Sequence, residues 1–180
     1  MAGEYNQAQK ELTRRSLEEA LVLLMEQIPF GEISISRICT RAGVSRMAFY
    51  RHFRTLQDVL ASYLADRQEE FLAGLEARED LDLKVITGRF LDLIEQRKSF
   101  FQAIFRGNLH WILLDSVSAG IALFAARQGG ALPEEGSLDD YRLRYMAGGV
   151  VCVLAKWTRR DCRESRKDML RFFMDPSGGL

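Results

Sequence analysis

Proline is nearly missing from this chain: Pro29, Pro133 and Pro176 are the only three in 180 residues. Proline removes a backbone donor and breaks helices, so the punctuation falls to glycine and to capping side chains, which suits a helical chain. Histidine is scarcer still, with His52 and His110 alone, and Cys39, Cys152 and Cys162 have no CxxC spacing. Two histidines and three scattered thiols make no metal-ligating set. An odd cysteine count, in segments that read as helix, implies reduced thiols in a cytoplasmic protein rather than a disulfide framework. No HExxH, Walker loop, GxGxxG or nucleophile elbow occurs, so neither an enzymatic role nor a cofactor is expected. No apolar run approaches the roughly 18 to 20 residues of a membrane span, the N-terminus is polar, and no internal repeat is present. A soluble, unexported chain without a membrane partner is expected. Net charge is lacking too, because 25 Lys and Arg balance 25 Asp and Glu. Any affinity for nucleic acid must therefore come from charge placed locally.

What the chain does have is apolar residues, 47% of the total, enough for a real core. They recur at helical spacing, so the fold class read from them is all-α. Leu12, Leu17, Ala20, Leu21, Leu24 and Ile28 mark a first helix that Pro29 and Gly31 stop. Ser34 then caps a short second helix, inward at Ile35, Ile38 and Cys39 and ended by Ala42-Gly43. Ser45 caps a third through Phe53, and Thr55 caps a long fourth beginning at Leu56. An acidic stretch from Glu76 to Asp82 reads as a break. Beyond it come a helix over Lys84 to Gln96, an aromatic segment Ser99 to Phe105, and an apolar helix from Leu109 to Arg127. A loop from Gln128 to Leu138 precedes two last helices, Asp139 to Thr158 and Ser165 to Met174, and the tail from Pro176 frays. This organisation divides into an N-terminal domain over 6–55, a connecting helix over 55–78 and a second helical domain over 79–180.

Ser34 to Phe53 has the layout of a helix-turn-helix: a bracing helix, a turn on a glycine, and a second helix free to enter the major groove. From Ser34 to Leu56 the chain carries Arg37, Arg41, Arg46, Arg51 and Arg54 with His52, and no Asp or Glu. A merely solvated face mixes signs, so this acid-free run is the local polycation that the balanced total conceals.

The run ISRICTRAGVSRMAFYRHFRTLQDVL, with the amphipathic helix before it, resembles the N-terminal signature of the tetracycline-repressor (TetR) family over about Leu12 to Tyr63. The diagnostic parts are Ala42-Gly43-Val44-Ser45 and Phe49-Tyr50-Arg51-His52-Phe53. The resemblance implies that Ser45, Arg46, Met47 and Ala48 face base edges, with Arg46 as a bidentate guanine contact, and that Tyr50 and His52 hold phosphates. Ser34 and Thr55 would offer a hydroxyl and free backbone N–H groups to phosphate oxygens, while Arg51, Arg54 or Arg14 adds charge. Phe49 and Phe53 are read as inward-facing core. One departure stands out, since family members commonly carry a lysine just inside the fourth helix and this chain has Leu56 there.

The resemblance also implies a regulatory domain whose last two helices form a four-helix interface between two subunits. Met146 to Ala155 is apolar nearly all round and holds a glycine pair, a composition that suits close approach of another helix. The interface is expected to use Gly148, Gly149, Val153, Trp157, Met169, Phe172 and Phe173. Tyr145 to Trp157 and the loop after it also resemble a TetR subgroup related to dihydroxyacetone-kinase operon activators. An effector site is expected at Phe90, Phe101, Phe105, His110, Trp111 and Leu114, for a small apolar or aromatic molecule. The expected function is a ligand-responsive repressor, a homodimer on a palindromic operator in double-stranded DNA. The alternative is a protein-interaction coactivator or small-molecule sensor of the same fold that does not itself bind DNA.

Overall fold

The computed structural model describes residues 2–76 and 82–175, without the side chains of residues 2–6 and 76. Most of the expected acidic break, 77–81, and the tail from Pro176 therefore lie outside the described residues. Within them the chain is all helix, with no strand. The elements are α1 (Ala2–Met25), a 3-10 turn (Phe30–Glu32), α2 (Ile35–Ala42), α3 (Arg46–His52) and α4 (Leu56–Glu76). They continue as α5 (Leu83–Gln96), α6 (Lys98–Arg106), α7 (His110–Arg127), α8 (Leu138–Arg159) and α9 (Arg166–Met174). No helix among the described residues is long and apolar enough to cross a membrane.

Two compact units divide the chain: Met1–Gln68 with Ala103–Ser116, and Glu69–Gln102 with Val117–Leu180. The inclusion of 103–116 in the first unit is not contained in a linear reading of the sequence. Leu109, Ile112 and Leu113 are buried there, and a Cβ on Gly107 would lie 3.2 Å from Phe30 Cβ, so glycine admits the 3-10 turn.

In the first unit α2 and α3 both pack on α1, around a core that includes Leu17, Leu21, Ile38, Phe49, Val59 and Leu60. Each short helix is started by a side chain. Ser34 Oγ accepts the Arg37 N–H at 3.2 Å and Ser45 Oγ the Ala48 N–H at 3.1 Å. These bonds satisfy donors that a helix N-terminus leaves open. Gly43 ends α2 at φ +68°, a left-handed conformation that costs a side chain little only when there is none. Val44 N–H then returns to Cys39 O at 3.0 Å, and the chain is set to begin α3.

In the second unit α5 packs on α9. Leu91, Ile94, Ala147, Leu154 and Trp157 form its buried core, and the Trp157 indole N–H donates to Glu164 O at 3.0 Å. The link after α8 turns through left-handed Asp161 (φ 62°) and Cys162 (φ 53°). Cys162 is thus a turn residue and not helical as its sequence context suggests. Lys98 Nζ to Asp161 Oδ1 at 2.6 Å and Gln102 Nε2 to Thr158 O at 2.7 Å tie α6 to this link. All three cysteines are free thiols.

Candidate nucleic-acid interface

The α3 helix is sorted by its own periodicity. Phe49 lies fully buried and Phe53 is buried beside it, the two rings 6.1 Å apart, as inward residues of a short helix must be. What remains outward is the set expected to meet DNA. Met47 is 68% exposed and Tyr50 50% exposed, and Ser45, Arg46 and Arg51 are exposed as well, with Ala48 and His52 half-buried. Tyr50 stands edge-on to Phe49 at 5.4 Å, so its ring is braced while its hydroxyl end is presented outward.

Arg37, Arg41, Arg46, Arg51 and Arg54 are all exposed. None makes an ion pair among the described residues. Arg37 instead places Nη1 3.3 Å from Glu32 O, a bond that leaves its charge unneutralised. Four such guanidinium groups on two short helices, with Arg54 just beyond α3, are a concentrated positive field, the kind that releases counterions from a phosphate backbone. Two open grooves flank this surface on the α1 side. One, about 560 Å³, is lined by Leu24, Ser34, Ser36, Arg37, Thr40 and Arg41. The other, about 350 Å³, adjoins Arg41 against Ser16, Glu19 and Leu23.

The start of α4 carries an acid. Asp58 Oδ2 accepts the N–H groups of Arg54 and Thr55 at 3.0 and 2.9 Å, and Thr55 Oγ1 accepts the Asp58 N–H at 3.1 Å. This capping box takes up the Arg54, Thr55 and Asp58 amides and sets a carboxylate beside the helix start expected to face a phosphate. The hydroxyl protons of Ser34, Ser45 and Thr55 are different. Each oxygen accepts a backbone N–H, which leaves its own proton to donate outward.

His52 and Arg14 are also placed otherwise than their residue types suggest. Burial first, then the positive charges of Arg14, Lys10 and Arg51, push the His52 imidazole below its ordinary value, with Glu11 opposing. The ring therefore senses α1 as much as any ligand of α3. Arg14, one of the arginines expected to add charge toward DNA, is bound by Glu11, Glu18 and Asp66. It is not a free cation of the interface, and only its spacing from Glu11 and Glu18 was visible in the sequence.

Of the expected effector residues, Phe105, His110, Trp111 and Leu114 fall in the first unit and Phe90 and Phe101 in the second. His110 and Trp111 are exposed, Phe101 is buried, and Phe90 meets Phe71 edge-on with centroids 6.3 Å apart. The structure does not bring the six together within one unit. No group of three or more His, Cys, Asp or Glu among the described residues is placed to hold a metal.

The expected interface residues divide by burial. Trp157, 2% exposed, and Met169 are buried within their own unit. A side chain so covered has no area to give a partner, and both belong to the core. Gly149 and Phe172 are exposed, and Gly148, Val153 and Phe173 half-buried. Met146, the first residue of the stretch read as interface, is exposed, as are Leu138, Tyr141 and Tyr145, which the sequence reading did not single out, with Tyr145 at 85%. The spacing 138, 141, 145, 149 was the available signal, since it repeats one helical face.

Comparison with known proteins bears on this geometry. The chain shares its fold with Lin0861 from Listeria innocua, at TM-score 0.77 and 20% identity, covering 94% of this chain and 91% of that one. It shares it also with the dihydroxyacetone kinase operon activator DhaS, at TM-score 0.58 and 17% identity over 91% and 92% of the two chains. A third is the transcriptional regulator FadR from Bacillus subtilis, in complex with stearoyl-CoA, at TM-score 0.55 and 18% identity over 89% and 97%. Residues 17–63, which hold the last part of α1, all of α2 and α3 and the start of α4, match the family of bacterial regulatory proteins described as the tetR family. That match falls on the helix-turn-helix built by α2 and α3 and identifies the N-terminal segment as one of the tetR type.

Proposed function

We propose that the chain is a sequence-specific transcriptional regulator that binds a palindromic operator as a homodimer and is released from it by a small apolar or aromatic effector. The observation that carries this reading is the exposed, unpaired arginine set on α2 and α3, beside an α3 whose Met47 and Tyr50 are held outward. Arg46, at the start of α3, has the type and exposure for a bidentate contact with guanine. Ser45, Met47 and Ala48 line the same approach to base edges. Ser34, Tyr50, Arg51, His52, Arg54 and Thr55 serve the backbone, the three hydroxyl-bearing residues and the His52 ring by donation and the two arginines by charge.

The dimer reading is supported by α8. Leu138, Tyr141, Tyr145, Gly149 and Cys152 follow one face of that helix and are exposed. A Cβ on Gly148 or Gly149 would meet nothing within 4 Å in the single chain. Each glycine costs a helix about 1 kcal/mol relative to alanine, and close approach of a second α8 compensates for it. Two subunits then offer two recognition helices to half-sites about 34 to 36 Å apart. The effector acts by favouring a form of the dimer that fits this spacing poorly. The acyl chain of the stearoyl-CoA held by the FadR neighbour is of this apolar class.

Selection of duplexes from a random-sequence pool, followed by titration of the winner at several salt concentrations, tests the reading. A preferred palindromic duplex, bound with a steep negative dependence on salt, is expected. Equal weak binding to all duplexes would instead favour the protein-interaction reading. Leu56, half-buried at the start of α4 where the family commonly places a lysine, is the observation on that side.

A further inference from the structure

Arg14 projects from α1 and has every one of its five N–H donors committed. Nε and Nη2 hold the two oxygens of Glu11 at 2.9 and 2.7 Å, Nη1 holds Glu18 at 2.6 Å and Ser62 Oγ at 2.9 Å, and Nη2 also reaches Asp66 at 2.7 Å. Glu18 is 3% exposed, so this is a built junction and not a passing surface pair. Ser62 and Asp66 stand one turn apart on α4, while α2 and α3 rest on α1. One guanidinium thus pins the first half of α4 to the platform that carries the recognition helix.

Two features set Arg14 apart from the arginines of the DNA face. No donor is left over for a phosphate. Around it Glu11, Glu18 and Asp66 answer the guanidinium's charge, whereas the arginines of the α2–α3 face have no such partners. The hydrogen bonds from Arg14 and Arg15 hold the Glu11 carboxyl down to about 2, while burial pushes the Glu18 carboxyl up, opposed by its arginine partner. Planar, charge-assisted bonds of this kind fix geometry more than they add stability.

We propose that Arg14 is a positioning residue for DNA recognition, fixing the start of α4 on α1, and so against α3, through Ser62 and Asp66 without touching DNA. The inference rests on the DNA-binding reading above.

Three variants of the full-length protein test it on the duplex selected by the native chain and on a scrambled duplex of equal length, with the active fraction fixed by stoichiometric titration. Asp66→Asn removes a negative charge from the DNA-binding unit, which by charge alone strengthens binding to both duplexes. A positioning role requires the reverse, a loss of at least tenfold on the selected duplex with the scrambled one unaffected. Arg14→Lys keeps the charge but not the planar fork, and the same selective loss is expected. Arg14→Gln is expected to leave the slope of log affinity against log salt unchanged, whereas Arg46→Ala lowers its magnitude by about 0.9. Selectivity within twofold of native in Asp66→Asn and Arg14→Lys, or a salt slope that falls in Arg14→Gln as in Arg46→Ala, overturns the inference. A native chain that prefers no duplex overturns instead the reading on which it rests.

Discussion

Gly88 on α5 lies directly beneath the guanidinium of Arg166 on α9: a Cβ at residue 88 would come within 2.8 Å of Arg166 Nη2. That guanidinium is bidentate to Asp92, one turn along α5 from Gly88. The glycine is the gap through which the arginine crosses the helix. Gly88→Ala gains about 1 kcal/mol of helix propensity and displaces the tip of a flexible side chain from an exposed pair worth about 0 to 1 kcal/mol. The two effects nearly cancel in the native background. In an Arg166→Ala background nothing opposes the gain, and Gly88→Ala is expected to stabilise by about 1 kcal/mol. Urea midpoints of the four proteins check this, and equal effects in both backgrounds would disprove the proposed crossing.

Gly43 offers a cleaner backbone case. Its φ is +68°, yet nothing stands within 4 Å of where a Cβ would be, so a side chain there pays in conformation and not in clash. Left-handed backbone costs an L-residue about 1 to 2 kcal/mol, partly offset because alanine stiffens the unfolded chain. Gly43→Ala is expected to destabilise the protein by about 1 kcal/mol, and Gly43→Asn by less, since asparagine tolerates this region. Denaturant titration measures both. Equal losses for the two variants would point to packing in place of conformation.

These caps and the turn were legible in the sequence because they are local. Ser34, Gly43, Ser45 and Thr55 act on residues within a few positions, and the acid-free arginine run needs only the absence of Asp and Glu to be seen. The Arg14 junction was half legible. Its contacts to Glu11 and Glu18 follow helical spacing, while Ser62 and Asp66 lie 48 and 52 residues away, and only the packing of α4 brings them in. Trp157 was assigned to an interface because a helix apolar on all sides does not say which side meets its own core. The stripe through Tyr141 and Tyr145 was passed over for the opposite reason, since arginines and aspartates interleave with it.

The environment of His52 makes stability depend on pH. Its imidazole is pushed below its ordinary value, chiefly by burial and then by Arg14, Lys10 and Arg51, whereas in the unfolded chain it titrates near about 6.5. The unfolded state therefore binds the proton more readily, and unfolding is favoured as pH falls. The contribution is fully present above about pH 6.5 and is lost as pH drops through the folded value. His52→Gln cannot take up the proton, so its stability relative to native should rise between pH 7 and pH 5. Glu11 is held down to about 2, and its own loss of stability falls below this window. Urea titrations of both proteins at pH 8, 6 and 5 give the difference, and a constant difference would show that His52 is not so placed.

The exposed stripe and the buried tryptophan of α8 make opposite predictions for two aromatic residues of one helix. Tyr145 is 85% exposed, on the face that we assign to a second subunit. An arginine there places two like charges near a two-fold axis, with no cost to the single chain. Tyr145→Arg is therefore expected to be folded by circular dichroism, monomeric by light scattering at micromolar concentration, and weakened at least tenfold on the operator, because one recognition helix reads only half of a two-fold site. Trp157 is buried and holds Glu164 O through its indole. Trp157→Ala opens a cavity and frees that carbonyl, a loss of about 3 to 5 kcal/mol, and is expected to unfold the second unit whatever the oligomeric state. If Tyr145→Arg remained a dimer, the second subunit would have to sit elsewhere, and the open space around Gly148 and Gly149 would need another reason.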